Sequence, residues 1–345
     1  MVTWDTAEEL FDRAMAQQMI PGFAAAAGRG DKTQWQSVKG MAVTHGAEPR
    51  PLGAEDWFDL ASLTKVMATL PALLILAAHG QLSFKDSVTQ YFPNWDARWK
   101  SVTLQHLLTH TGGLASHREY FANRRGLQEY LEAISEEPFE CESGTEVIYS
   151  DLGYIVLGAI VERVAGCSLS EFTTKAVFTP LNMQAGFCPK PPLQTRCVAT
   201  EVIRNQALIG VVHDENARAL GGIAGHAGLF APLEAVVRYV KSWVSEGQSL
   251  FTEPVRQAAT HLCTPHLNGR RAWGWALRED GYDVGGDFWP LTGAGHTGFT
   301  GTSIQFDLPS GLWAVLLTNR VHFGRDTNIN GLRRSFHNIV VQAAR

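Results

Sequence analysis

Apolar residues fall along the chain in runs whose spacing switches from helical to strand-like and back. From Thr6 to Met19 they recur at Leu10, Phe11, Met15 and Met19 behind an acidic first turn, which predicts an amphipathic helix halted by Pro21-Gly22. Two strand-like pieces, Phe23 to Gly28 and Thr33 to Val43, flank a turn-rich Gly-Arg-Gly-Asp and read as a hairpin. Leu63 to Ala78 is almost continuously apolar and closes at Gly80, which predicts a buried helix. Helical spacing follows at Thr103 to Thr109, Leu127 to Ser135, Leu152 to Val164 before Gly166, and Leu169 to Thr179. Between Cys188 and Pro232 periodicity fades and glycines crowd together, and a loop that long inside a compact fold is functional or disordered. Helices return at Leu233 to Val244 and Pro254 to Leu262. Strands return at Ala272 to Leu277, Thr302 to Asp307 and Leu312 to Thr318, and a last helix runs from about Gly331 to Ala344. Strands at both ends with helices between them predict one sheet built from N- and C-terminal segments around an inserted helical region, an α/β architecture.

Composition narrows the function classes. The 345 residues are 45% hydrophobic and carry a net charge of −5, enough apolar sequence for a sizeable core and far from a disordered chain. No basic block exceeds Arg124-Arg125 or Arg333-Arg334, which excludes a nucleic-acid phosphate footprint. The five cysteines, Cys141, Cys167, Cys188, Cys197 and Cys263, include no C-x-x-C pair and read as free thiols. The longest apolar run, Val66 to Ala78, is shorter than the ~20 residues of a bilayer span and contains Pro71, so no membrane span is predicted. The N-terminus lacks the basic and apolar regions of a secretory signal. As written the chain is expected in the cytoplasm; if cut from a longer precursor, it is expected in the periplasm or outside the cell.

A serine nucleophile needs a neighbour to take its proton. Ser62-Leu63-Thr64-Lys65 is the only S-x-x-K in the chain, and the i, i+3 spacing at the start of a helix brings the Lys65 amine beside the Ser62 hydroxyl. Lysine acts as a base near neutrality only when burial or nearby cations lower its pKa, and Leu60, Leu63, Val66 and Met67 are placed to desolvate it. About one such match is expected by chance in a chain of this length, so the tetrapeptide alone is weak. Tyr149-Ser150-Asp151 is the only Y-x-[N/D]. Tyr149 can relay protons or be core, and Asp151 can hold Lys65 by charge or cap the following helix. His296-Thr297-Gly298 precedes a strand, and its small residues allow a substrate backbone to approach. The same tripeptide at His110-Thr111-Gly112 reads as the capped end of a helix.

In this order and spacing the three motifs resemble those of the serine β-lactamase and penicillin-binding protein superfamily. The wider phrases are similar to its branch of class C β-lactamases, DD-carboxypeptidases, D-aminopeptidases and related esterases. They are Phe58-Asp59-Leu60-Ala61-Ser62, Leu104-Gln105-His106-Leu107-Leu108-Thr109-His110-Thr111-Gly112-Gly113 and Tyr149-Ser150-Asp151-Leu152-Gly153-Tyr154, and the similarity extends from about Ala7 to Gln342. The resemblance implies an α/β (α+β) fold in which an antiparallel sheet is flanked by N- and C-terminal helices. Residues 1–80 and 265–345 would form the α/β domain, and 81–264 an inserted, mostly helical domain. It implies Ser62 as acylated nucleophile, Lys65 as base or proton shuttle and Tyr149 as second acid-base. The N–H groups of Ser62 and Phe299 would form the oxyanion hole, with Asp151, His296, Thr297 and Gly298 facing substrate.

Two residues depart from the family pattern. Asp151 stands in place of the usual Asn, an acceptor where an amide can donate, and His296 stands in place of the Lys of most β-lactamases. Both argue against an efficient β-lactamase and for a neutral or amine-bearing substrate over a strongly anionic one. The expected activity is hydrolysis of an amide or ester through a Ser62 acyl-enzyme, of the DD-peptidase or D-aminopeptidase type. The alternatives are a carboxylesterase, a weak β-lactamase or a non-catalytic penicillin-binding sensor. No cofactor and no metal are implied, and the partner is a small or peptide-like substrate. His106 and His110 are spaced like a zinc helix, but Leu107 stands where the glutamate belongs. His213, Asp214, Glu215 and His226 either border the mouth of the site or pin their loop. The absence of any G-x-S-x-G excludes an ordinary α/β-hydrolase.

Overall fold

The computed structural model of the chain describes residues 2–247 and 249–344. Helix α1 (Trp4–Ala16) leads into the hairpin of β1 (Gly22–Arg29) and β2 (Lys32–Val43), then the short β3 (Arg50–Pro51). Four strands come from much later in the chain: β4 (Ala276–Leu277), β5 (Ala294–Thr297), β6 (Ser303–Phe306) and β7 (Leu312–Thr318). They join one antiparallel sheet in the order β3-β2-β1-β7-β6-β5-β4, with Phe23 opposite Thr318 at its centre. The intervening helices include α2 (Leu70–Ala78), α3 (Asp151–Ala165) and α4 (Leu233–Val244), and α5 (Asn330–Ala343) follows the sheet. The fold is the mixed α/β arrangement expected, an antiparallel sheet flanked by helices from both ends of the chain.

Strand β1 is almost wholly apolar because both faces of the sheet are covered. Phe23, Ala25 and Ala27, with Leu312, Ala314 and Leu316 of β7, pack on α1 and α5, where Phe11 stacks on Phe23 at 4.1 Å and meets Phe336 at 5.2 Å. Ala24, Ala26, Trp313, Val315 and Leu317 face the opposite layer, in which Trp243 of α4 lies 5.3 Å from Trp275. Among the described residues no single helix is long and apolar enough to cross a membrane.

Two strand expectations are corrected. The run Ala272 to Leu277 yields only Ala276–Leu277, because residues 272–275 close a turn (Ala272 N–H to the Trp275 carbonyl, 3.1 Å) and Gly274 adopts φ +77°. Strand β5 carries the His296-Thr297 pair itself, and its glycine hid it. A Cβ at Gly295 would lie 2.8 Å from the Ile304 backbone carbonyl oxygen, so pairing with β6 favours glycine there.

Candidate active site

The turn that presents Ser62 is braced from two sides. Asp59 is buried and its carboxylate accepts the N–H groups of Ala61 at 2.8 Å and His213 at 2.6 Å. The first of these bonds fixes Ala61 at φ +47°, a left-handed conformation that costs a residue with a Cβ about 1–2 kcal/mol. From the β5–β6 turn, the Thr300 and Thr302 hydroxyls donate to the carbonyls of Asp59 and Leu60 at 2.7 and 3.0 Å. Gly298 is required at this contact, since a Cβ there would lie 2.5 Å from the Leu60 carbonyl oxygen.

The helix after Ser62 begins with a π-turn over Lys65–Thr69 before α2. Pro71 accounts for it: proline has no N–H, and its ring would clash with a carbonyl one regular turn back. Leu70 N–H donates to the Lys65 carbonyl, and the Val66 carbonyl, which Pro71 cannot serve, is taken by the Tyr239 hydroxyl. Ser62 and Lys65 still share a face. The fully buried Lys65 Nζ donates to Ser62 Oγ at 3.1 Å, Asp151 Oδ1 at 2.6 Å and the His226 carbonyl at 3.2 Å.

This geometry overturns the expected electrostatics of Lys65. Burial does push its pKa down, but the Asp151 carboxylate, with Tyr149 beside it, more than offsets burial and holds the amine above its ordinary value. Burial likewise pushes the Asp151 carboxyl up, and the charge of Lys65 outweighs it, holding the carboxyl well below the usual range. The pairing favours the ammonium form of Lys65. Asp151 is released for this pairing because Ser150 caps α3, its hydroxyl accepting the Gly153 N–H.

Tyr149 stands over the pair, with Lys65 Nζ 5.0 Å from its ring centroid. His110 packs against it at 4.4 Å, Tyr282 stacks on it at 4.9 Å, His296 lies at 6.1 Å and the buried Arg271 guanidinium at 5.7 Å. His110 Nδ1 accepts the Ser150 N–H at 3.0 Å, which assigns its proton to Nε2, whereas His296 Nδ1 donates to the Thr297 carbonyl at 2.9 Å and leaves Nε2 bare. Burial, then Lys65 and Arg271, push His296 down to about 3; burial, then Arg271 and Lys65, push His110 well below its ordinary value. Both imidazoles are neutral at neutral pH. The first His-Thr-Gly is thus more than a helix end, because His110 supports Tyr149.

A cavity of about 390 Å³ opens at Ser62, bordered by Tyr149, Thr297, Gly298 and Phe299 and by residues absent from the motifs: Tyr282, Arg320, Asn330 and Arg333. Among the described residues the backbone N–H groups of Ser62 and Phe299 are not drawn into the surrounding turns, where Lys65 N–H donates to Ser62 O, Gly298 N–H to Thr302 O and Gly301 N–H to Gly298 O. Arg333 donates to the carbonyls of Gly298 at 3.0 Å and Thr302 at 2.8 Å. Burial and neighbouring Arg320 pull its pKa down to about 9, which leaves it cationic at neutral pH. Arg320 donates to the carbonyls of Arg325 and Thr327. Among the described residues neither arginine has a carboxylate partner, whereas Arg325 pairs with Glu201 and Glu215. The sequence did carry one hint of Arg333: it falls on the buried stripe of α5 with Phe336 and Val340, where a charge needs a reason.

The remaining polar residues of the glycine-rich loop form an internal network. His213 meets Glu201 at 3.1 Å, His226 meets Asp214 at 2.9 Å and Glu215 meets Arg325. A Cβ at Gly225 would lie 2.0 Å from the Tyr154 carbonyl oxygen, so only glycine lets this loop pass against α3 and bring the His226 carbonyl to Lys65. His106 Nδ1 accepts the Thr103 N–H in a capping box, and no group of three metal-ligating side chains occurs among the described residues.

The family model described as Beta-lactamase matches residues 7–337. The chain is 28% identical over 321 residues to the N-acetylmuramyl-L-alanine amidase of Bacillus subtilis (strain 168), covering 79% of this chain and 70% of that one. It is 28% identical over 310 residues to the putative D-alanyl-D-alanine carboxypeptidase of Escherichia coli (strain K12), covering 77% and 69%. A solved class C beta-lactamase mutant superposes with a TM-score of 0.77 at 20% identity, covering 98% of this chain and 96% of that one.

Proposed function

The chain belongs to the beta-lactamase family of serine hydrolases, and from that premise we propose that it cleaves an amide or ester through a Ser62 acyl-enzyme, on a substrate whose leaving group carries a carboxylate. The observation that carries this reading is the placement of Ser62 Oγ between the buried Lys65 ammonium and a cavity edged by two guanidiniums without carboxylate partners. Ser62 Oγ attacks the carbonyl carbon, and its proton passes through Tyr149 to the departing nitrogen or oxygen as that bond breaks. Water then attacks the acyl-enzyme, Tyr149 takes its proton, and Ser62 recovers a proton as the acid leaves. Lys65 is the fixed positive charge beside these transfers. The N–H groups of Ser62 and Phe299 receive the oxyanion, with Thr297 and Gly298 along the substrate.

A leaving-group carboxylate is what a D-alanyl-D-alanine carboxypeptidase, like the named relative, releases. This reverses the preference expected from Asp151 and His296 alone. Asp151 is engaged by Lys65 and His296 is neutral, so the cavity's charge is that of Arg320 and Arg333 set against one lining carboxylate, Asp326, with Arg325 paired to Glu201 and Glu215. An aminopeptidase, whose substrate carries a free ammonium on its acyl side, is correspondingly disfavoured.

Mass spectrometry after exposure to a fluorophosphonate or a fluorescent penicillin should place an adduct on Ser62, and Ser62→Ala should abolish p-nitrophenyl ester hydrolysis. Turnover by that variant would move the chemistry elsewhere. An N-acyl-D-alanyl-D-alanine should be cleaved at least about tenfold faster than its C-terminal amide; equal rates would favour a carboxylesterase, and acylation without turnover a penicillin-binding sensor.

A further inference from the structure

Two aromatic rings stand open at the Ser62 cavity. Tyr282 is 50% exposed and Phe299 48%, and turning inward would gain either of them apolar burial. What lies behind them holds them out. Tyr282 stacks on Tyr149 at 4.9 Å, and the Arg271 guanidinium lies 5.0 Å from its ring. Arg271 is itself bonded to Asp280 at 2.9 Å, and the same carboxylate oxygen accepts the Tyr282 N–H at 2.8 Å, which fixes the backbone under the ring. Phe299 stacks on His213 at 5.7 Å, and Arg320 lies 4.7 Å from its ring. Each ring is thus held by two neighbours and still half-exposed at the cavity, with little rotamer freedom to lose when something binds. A guanidinium already lies over each ring. An incoming ammonium would meet that like charge, whereas a neutral π-system would not and could stack.

We propose that Tyr282 and Phe299 are the walls of a subsite for a flat, unsaturated group of the substrate, an aryl ring or amide plane, and that it rejects aliphatic and ammonium-bearing groups. This deepens the Ser62 reading and rests on it. Both side chains are specificity determinants, neither taking part in bond breaking.

Matched pairs that differ only in flatness test it. Methyl phenylacetate against methyl cyclohexylacetate puts the ring on the acyl side, and benzyl acetate against cyclohexylmethyl acetate puts it on the leaving side, with acid release followed at constant pH. In at least one pair the aryl member should be favoured about tenfold in kcat/KM, mostly through KM. Phe299→Leu and Tyr282→Leu should each cut that preference to about threefold or less. Leucine keeps apolar bulk at these half-exposed positions, and a melting temperature within a few degrees of wild type verifies the fold. No preference in either pair, or a preference that survives both substitutions, overturns the subsite. Should the protein turn over none of these esters, calorimetric binding of phenylacetate and cyclohexylacetate to the Ser62→Ala variant and its two leucine derivatives reads the same ratio. Retained ester turnover in Ser62→Ala sinks the acyl-enzyme reading, whereas an unchanged aryl preference sinks only the subsite.

Discussion

The two sides of the Ser62 cleft treat charge in opposite ways. Towards α3 the charge is matched in place: Lys65 meets Asp151 at 2.6 Å, and Asp214 is hydrogen-bonded to His226 behind them. Towards the β5–β6 turn, Arg320 and Arg333 bond only to carbonyl and amide oxygens. A buried charge with a partner fixes geometry and has little field to spare, but removing either partner is costly. An unpartnered guanidinium keeps its attraction for an anion. One side therefore holds the nucleophile and the other chooses what reaches it.

The comparison breaks hardest at Lys65. Lys65→Met leaves the part-exposed Asp151 carboxylate with His117, 3.8 Å away, as its remaining ion-pair partner among the described residues, and should cost about 1–3 kcal/mol of stability together with a loss of about 10³-fold or more in acylation rate. Thermal melting and the rate of adduct formation read the two effects, and wild-type acylation would remove Lys65 from the chemistry.

Asp151→Asn sharpens the same side through pH. The depressed Asp151 pKa gives stability that is complete above the ordinary carboxylate value of about 3.9 and is lost as pH falls towards the folded value. The raised Lys65 pKa gives stability that is complete below about 10.4 and is lost as pH rises through the folded value. In the variant both limbs should flatten and the plateau should drop. Superimposable curves of melting temperature from about pH 2 to 11 would show that the pair contributes nothing.

A smaller effect is expected on the choosing side. Arg333→Gln should raise KM for a carboxylate-ended substrate about tenfold, most visibly at low salt, with partial recovery in Arg333→Lys. Because Arg333 also braces the β5–β6 turn, the informative readout is the ratio between the carboxylate substrate and its amide. A ratio unmoved by the substitution would assign Arg333 to bracing alone.

The holding side was largely legible from sequence, because Ser62 and Lys65 are neighbours on one helical turn and Tyr149-x-Asp151 is close-spaced. The resemblance added the order of the motifs. Asp151 holding Lys65 by charge was one of two readings open for it, but across 86 positions no local pattern weighs that charge against desolvation by Leu60, Leu63, Val66 and Met67. The choosing side was legible only in part, through His296-Thr297-Gly298, Phe299 and the charge of Arg333 on the buried stripe of α5. Arg271, Arg320 and Arg333 belong to no shared pattern, and their roles arise from which carbonyls and rings the fold brings to them. A similar contrast runs through the sheet. Leu312–Thr318 was read to the residue because every position is buried, whereas β5 was hidden by a glycine that the facing backbone of β6 favours.

The pairing of β1 with β7 also sets a timetable for synthesis. The Trp313 indole N–H donates to the Gly30 carbonyl across 283 positions of the chain. At about 5–20 residues per second, the N-terminal hairpin emerges from the ribosome roughly 15–60 s before its central partner has been made. During that interval β1 presents an unpaired, alanine-rich edge, the kind of template on which nascent chains associate. Thr300 and Thr302, which clamp the turn at Ser62, arrive in the same late segment. The nucleophile therefore stays unassembled in the growing chain, and yield in a cell should depend on whatever shields the hairpin until β7 arrives.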